Sequence, residues 1–451
     1  MNRKHHARVI AGLTVMALVA ASCGSDSDSS DADAPADTDA AVEETVADTE
    51  PADTEPADTT PTDTAPTDTE APDGGDGFSA LPPPDGEPIV VGMVNTEGSP
   101  GLDFPEISAS TRAAVDFLND HGGLGNRPIE FEVCTAAGSP ETSQACAQEL
   151  AGKDVEIVML GLDLFPGYDT FTASNIPVTG VLPILPGDYT ANALFLGGGN
   201  TTTTAAMAAF AKENFDATTA GIVSADNAGA NGTEADLMKA LDAAGISYVS
   251  IKGGDNETDA GYQGLMRQAT ADDPDVLFSL YADAGCIGTI RGRVTLGIET
   301  PVITTAICSS AEVIDVVGDD AEGWYFIGAQ TEEAGTPEAA DLQVILESLG
   351  FTNSTELGLG ALGVTGLLSL ATIANAMADD GEEITGASIY ETLEASDGAV
   401  NWPDANPFAC GAAPAFPTIC NFIFPIATYV PGTGIETVPG FEALDTTPYL
   451  P

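Results

Sequence analysis

Basic side chains are scarce in this 451-residue chain: 12 Lys and Arg stand against 70 Asp and Glu, a formal net charge of −58. With no basic patch to neutralise phosphates, nucleic acid and anionic lipid surfaces are excluded as partners. Histidine is rarer still. His121 is the only one beyond His5 and His6, and the seven cysteines show no C-x-x-C spacing, which argues against a four-ligand metal site. His121 itself falls in a Gly-rich helix end, where a capping role is the simpler reading. Neither a G-x-S-x-G elbow nor a P-loop signature occurs. The one glycine fingerprint, Gly358-x-Gly360-x-x-Gly363, opens an apolar helix with no strand before it, so it reads as close helix packing rather than dinucleotide binding. Paired carboxylates for glycoside hydrolysis are compatible with the composition but have no recognisable context here.

What is present begins with a thirteen-residue apolar run, Val9 to Ala21, behind Arg3, Lys4 and Arg8 and ahead of Ala20-Ala21-Ser22-Cys23. A membrane span needs about 20 apolar residues, so the run reads as a signal peptide over residues 1–23, closed by a lipobox with Cys23 as the lipidation site. The alternative is an ordinary signal peptide that leaves Cys23 as an odd thiol. The six other cysteines fall into local pairs, Cys134 with Cys146, Cys286 with Cys308 and Cys410 with Cys420. Six cysteines allow 15 connectivities, and pairing of sequence neighbours is the simplest. An oxidising compartment favours disulfides, each short loop contributing on the order of 3 kcal/mol.

Residues 24–77 hold 18 of the acidic residues and no Lys or Arg, and a five-residue unit recurs there as PADTE, PADTT, PTDTA and PTDTE. Such a segment cannot build a core and reads as a disordered acidic Pro/Thr tether, at full extension roughly 150 Å long. Its threonines also suit glycosylation, though a solvated spacer is the simpler account. The remaining body carries 52 acidic residues against nine basic ones, an acid excess that reads as a surface suited to saline surroundings rather than as a site.

From Glu87 on, about 365 residues suffice for two lobes. Strand and helix signals alternate. PIVVGMVN, Pro128 to Cys134, Val155 to Leu160, Ile176 to Val181, Ala220 to Ala225, Ser247 to Lys252, Val276 to Tyr281, Val302 to Ala306 and Trp324 to Gly328 read as strands. Ile107 to His121, Glu141 to Lys153, Thr202 to Glu213 and Glu234 to Ala244 read as helices between them. The pattern predicts an α/β fold of parallel sheets covered on both faces, with ligands at the carboxyl ends of the strands where the order reverses.

The stretches PIVVGMVNTEG, STRAAVDFLNDHGGLGNRPIEFEVC and SQACAQELAGKDVEIVMLG, in that order, resemble the opening of the periplasmic leucine/isoleucine/valine-binding proteins, solute receptors of ABC importers. DATTAGIVSADNAGANGTEADLMKALDAAGI, DPDVLFSLYADAGCIGTIRGRVTLGIETPVITT, DDAEGWYFIGA and the helix Ala361 to Ala378 continue the likeness over nearly the whole body. The resemblance implies two doubly wound parallel-sheet lobes with a hinge of three crossings, the type I periplasmic binding fold. Lobe 1 would comprise residues 87–197 and 329–406, and lobe 2 residues 198–328 and 407–451. It further implies no cofactor, no metal and no catalysis. The expected partners are a small-molecule solute, captured by a monomer through hinge closure, and an ABC importer permease in the membrane. Lipid anchoring at the outer face of a bacterial cell membrane fits such receptors in cells without a confined periplasm. Two other functions keep the same sequence features: a sensory receptor of this fold coupled to a signalling partner, and an envelope hydrolase.

By position, the cleft loops of lobe 1 are expected at Asn95 to Ser99, with Glu97 and Gly98, at Leu162 to Tyr168 and at Leu182 to Tyr189. Those of lobe 2 are expected at Asp226 to Ala230, Tyr281 to Gly285 and Thr304 to Ser309, with Thr305. Where the family grips a ligand carboxylate with serines, this chain has Leu164-Phe165-Pro166. Leu182-Pro183-Ile184 replaces its next hydroxyl, and Ala306 or Ile307 stands near its ammonium-binding acid. An unpaired zwitterion in an apolar cleft is costly, so a standard branched-chain amino acid is not expected. Asp163, Asp226 and Asp283 are candidates to hold a cationic or amide end, Tyr281 and Phe165 to pack on a ring or chain, and Asn227 to hydrogen-bond it. The expected solute is amino-acid-like, an amide, or a small carboxylic or aromatic compound.

Overall fold

The structure, a computed structural model, describes residues 77–99, 103–282, 284–329, 336–396 and 409–450. The signal, Cys23, the tether and Asp283 lie outside the described residues. The chain first builds one sheet through β1 (Ile89–Thr96), α1 (Pro105–Asp120), β2 (Ile129–Ala136), α2 (Pro140–Ala151), β3 (Ile157–Leu160), α3 (Tyr168–Ala173), β4 (Val178–Gly180) and β5 (Leu194–Phe195). All five strands are parallel, in the order β2-β1-β3-β4-β5. Seven of the eight β1 residues are buried, as expected of a strand covered by helices on both faces.

A second sheet follows through α4 (Gly199–Phe215), β6 (Thr219–Ala225), α5 (Ala228–Ala244), β7 (Ser247–Gly253), α6 (Asp259–Ala269), β8 (Val276–Leu280), α7 (Ala284–Leu296), β9 (Val302–Thr305), α8 (Ala311–Val317) and β10 (Trp324–Ile327). The chain then returns as α9 (Pro337–Leu349), α10 (Gly360–Asp379) and α11 (Gly386–Ala395), which pack into the core of the first sheet. It ends as β11 (Ile423–Phe424), β12 (Ile426–Val430), β13 (Gly434–Thr437) and β14 (Leu444–Asp445). The second sheet runs β13-β12-β10-β9-β8-β6-β7. Each lobe thus repeats one winding, second-first-third-fourth-fifth strand, and the chain passes between lobes three times: after β5, after β10 and after α11.

The second sheet is not wholly parallel as the sequence predicts. β12 pairs antiparallel with both β10 and β13; for β13 the cause is the tight turn at Pro431 to Thr433, since strands joined by so short a turn cannot run parallel. Before completing the third crossing the chain edges the first sheet: Phe195 N donates to Thr418 O (2.7 Å) and Cys420 N to Phe195 O (2.9 Å).

By length and composition α10 is long and apolar enough to cross a membrane, yet it lies in the first lobe's core. Its glycines explain how. A Cβ on Gly363 would stand 2.0 Å from Thr111 Oγ1 and one on Gly360 2.3 Å from Ser110 Oγ, so the fingerprint spacing serves contact with α1. The cysteines form Cys134–Cys146, Cys286–Cys308 and Cys410–Cys420, the local pairs. Cys286–Cys308 ties α7 to the turn after β9, joining two loops at the carboxyl edge of the second sheet.

Candidate functional site

In each lobe the strand order reverses beside the first strand, between β1 and β3 and between β6 and β8, so the loops leaving those strands form the natural ligand crevice. In lobe 1 the first of these loops is fixed by Asn95, fully buried at the end of β1. Its Nδ2 donates to Phe104 O (2.8 Å) and Glu97 Oε1 (3.0 Å), and its Oδ1 accepts from Leu162 N (3.0 Å), tying the β1 and β3 loops together. Glu97 is half-buried and also accepts from Ser108 Oγ at 2.6 Å. Gly98, at φ +76°, gives its N–H to Asp103 Oδ1 (2.8 Å) and has open space where a Cβ would be. Glu106, in the first turn of α1, has its carboxyl pushed above the usual range by burial first, then by Asp103 and Glu97.

Asp163 is only 2 % exposed. Its Oδ1 accepts from Ser143 Oγ (2.6 Å) and Phe165 N (3.1 Å), while Oδ2 is buried without a protein partner. Burial, aided by the charge of Asp188, pushes its carboxyl up. In this conformation Asp163 therefore fixes the β3 loop to α2 rather than facing solvent. Beside it Leu164 is buried and Phe165 stands out at 39 % exposure. In the loop after β4, Leu182 and Ile184 are half-buried and Pro183 buried, and Asp188 holds them. Its carboxylate accepts from Ile184 N (2.7 Å), Leu185 N (2.8 Å) and Tyr168 OH (2.8 Å). Burial first, then the Asp188 charge, drives the Tyr168 hydroxyl far up. Tyr189 continues toward lobe 2, accepting from Thr201 Oγ1 of α4 (3.1 Å) and meeting Phe416 edge-on at 5.4 Å.

In lobe 2 the loop after β6 is shorter than the sequence predicts. Only Asp226 and Asn227 precede α5, because Asn227 caps that helix by accepting from Ala230 N at 2.9 Å, so Ala228 to Ala230 are helical. Asn227 Nδ2 donates to Asp255 Oδ1 (2.5 Å), and exposed Asp226 accepts from Asn231 Nδ2 at 3.3 Å. Tyr281 is 5 % exposed. It meets Tyr262 edge-on at 5.5 Å, its hydroxyl is buried without a protein partner, and burial, then the Tyr262, Glu257 and Asp255 charges, pushes it up. After β9, Thr305 is half-buried and Ile307 is 39 % exposed. Phe165 and Ile307 are thus large apolar side chains left exposed at the carboxyl edges of the two sheets, one per lobe.

The structure therefore brings Glu97 and Gly98 to the lobe 1 edge and Asp226, Asn227, Thr305 and Ile307 to the lobe 2 edge, while it buries Asp163, Leu164, Pro183 and Tyr281. Sequence reasoning missed Asn95, Ser143, Tyr168 and Asp188 as the side chains that shape these loops. A polar residue closing the apolar run of β1, and the Pro186-Gly187-Asp188 turn, were the available signals.

A family model described as periplasmic binding protein matches residues 88–409. A structure of a putative branched-chain amino acid ABC transporter from Rhodospirillum rubrum superposes with a TM-score of 0.62 at 14 % identity, covering 78 % of this chain and 100 % of that one. An ABC transporter substrate-binding protein from Sphaerobacter thermophilus gives 0.59 at 18 % identity, covering 79 % and 100 %. A solute binding protein from R. palustris in complex with 4-hydroxybenzoate gives 0.55 at 16 % identity, covering 80 % and 97 %. A comparison with curated proteins finds no match. With the family model spanning most of both lobes and the doubly wound sheets repeated in these structures, the chain belongs to the periplasmic binding protein family, of the leucine/isoleucine/valine-binding kind.

Proposed function

We propose that this protein is an extracytoplasmic, lipid-anchored receptor that captures one small organic solute between its lobes and presents it to an ABC importer permease. Membership in a family of solute-binding receptors that serve such permeases carries the extracytoplasmic location and the class of partner. The observation that carries the reading of the cleft is the pairing of two edges, each with ordered loops at a strand-order reversal and an exposed apolar side chain, Phe165 or Ile307. Closure over a solute would remove both from water and supply the differential affinity that favours the closed state.

The anchor is Cys23, behind the signal and ahead of the tether, which would let the receptor range at the membrane surface. Expressed in its own host, the Cys23→Ala protein should leave the membrane fraction, and continued anchoring would overturn the lipoprotein reading. Delivery is tested by uptake: deleting the gene should abolish accumulation of the bound solute while leaving other nutrients unaffected. A deletion that alters only a transcriptional response to the solute would assign the protein to sensing instead.

A further inference from the structure

All nine basic residues of the body are described, and their places are informative. Arg127 and Lys153 lie just before β2 and β3 and pair there with Glu156 and with Glu132 and Glu149. Arg293 is used on the carbonyls of Glu299, Thr300 and Glu322, before β9 and β10. Arg112 lies over Phe131, Lys212 and Lys239 pair on α4 and α5, and Arg267 and Arg291 sit late in α6 and α7. Only Lys252 is near a carboxyl end, and it is committed to Glu234 (2.8 Å) and Asn231. The cleft edges therefore carry acid without counter-charge: Glu97, Asp103 and Glu106 in lobe 1, Asp226, Asp255 and Glu257 in lobe 2.

An acidic edge alone would be no more than surface in so acidic a protein. Lobe 2 adds a second feature. The buried Tyr281 hydroxyl, without a protein partner, lies beneath the loop that carries Asp255 and Glu257: a Cβ on Gly253, which leads into that loop, would stand 2.9 Å from it. Its oxygen has no donor in the protein, and Phe165, 39 % exposed at the lobe 1 edge, offers aromatic surface for a cation. In lobe 1, Glu106 Oε1 is likewise buried without a partner.

Resting on the receptor reading above, we propose that the solute is an organic cation, an ammonium or amidinium on an apolar body, and that its charge licenses closure. Bringing two acidic edges together with nothing between them is opposed by like-charge repulsion in a narrowing, water-poor gap. A cation between them reverses the sign of that term, so the empty receptor stays open and the loaded one closes.

Isothermal titration of the full mature chain tests this. Putrescine, spermidine, agmatine and choline are the cationic probes, and leucine, acetamide and 4-hydroxybenzoate the zwitterionic, neutral and anionic comparators. One cation is expected to bind at one site. Glu97→Gln and Asp255→Asn, which keep the hydrogen-bond acceptors of both side chains, should each weaken it at least tenfold, and so should raising the salt. Should either variant lose its fold, Asp103→Asn replaces it, since Asp103 is exposed. One-site binding of a comparator with no cation bound overturns the inference but leaves the receptor reading standing. Cation binding at many sites, cation binding unmoved by these variants, or no cation binding at all overturns it as well.

Discussion

Replacing Asp188 by Ala removes the acceptor of three hydrogen bonds at once, from Ile184 N, Leu185 N and Tyr168 OH, at a side chain only 4 % exposed. Hydrogen bonds to a charged group are worth about 1.5–3 kcal/mol each, but the two backbone donors are half-buried and regain some water when the loop relaxes. A net loss of about 2–4 kcal/mol is therefore expected. Tyr168→Phe removes one donor and should cost about 1 kcal/mol. Because the two side chains share a bond, the double variant should cost less than the sum, with a coupling of about 1 kcal/mol. Urea unfolding of the four proteins gives the cycle, and amide exchange should accelerate over residues 182–190. A loss under about 0.5 kcal/mol, the size of an ordinary surface substitution, with exchange unchanged in that loop, would refute the claim that Asp188 shapes the cleft.

Other perturbations test other parts. Asp275 accepts the N–H groups and hydroxyls of Thr218 and Thr219, which, with their backbone bonds first, lower its pKa from 3.8 to about 2. A depressed native pKa contributes stability above the unfolded value that is lost as pH falls through the native one, so Asp275→Asn should flatten acid unfolding between about pH 4 and pH 2. Its exposure keeps the effect at neutral pH near 1 kcal/mol. Asp163 runs the opposite way. Its raised pKa gives stability present at low pH and lost as pH rises through the native value, so the stability of Asp163→Asn relative to wild type should climb above pH 4, and a flat difference would contradict it. Gly363→Ala should destabilise by about 1–3 kcal/mol despite its better helix propensity, because Thr111 Oγ1 and Ile107 O occupy the space; a stabilised variant would show that α1 and α10 can part freely.

Much of this fold was legible in the sequence, because short apolar strands alternating with helices follow from burial on both faces of a parallel sheet. The antiparallel hairpin at Ile426 to Thr437 was not, since its strands carry half-buried residues without a strong period. The α5 boundary was also missed: Gly229, Asn231 and Gly232 read as loop, and only the Asn227 cap and the packing behind it recruit them into helix. At the site, position along the strands found the loops but not the direction of each side chain. Asp163 looks like a ligand contact in a string of residues, whereas its burial and its bonds to Ser143 and Phe165 show it holding a loop, and burial is a property of the whole fold.

The most direct test of cleft capture is amide exchange of the mature chain with and without whichever solute raises its thermal midpoint. A ligand at 100 times its Kd stabilises by about 2.7 kcal/mol, enough for a clear shift. Capture between lobes predicts protection at residues 95–99 of lobe 1 and residues 226–230 of lobe 2 together, saturating at one solute per chain. Protection confined to the loops of a single lobe would contradict it.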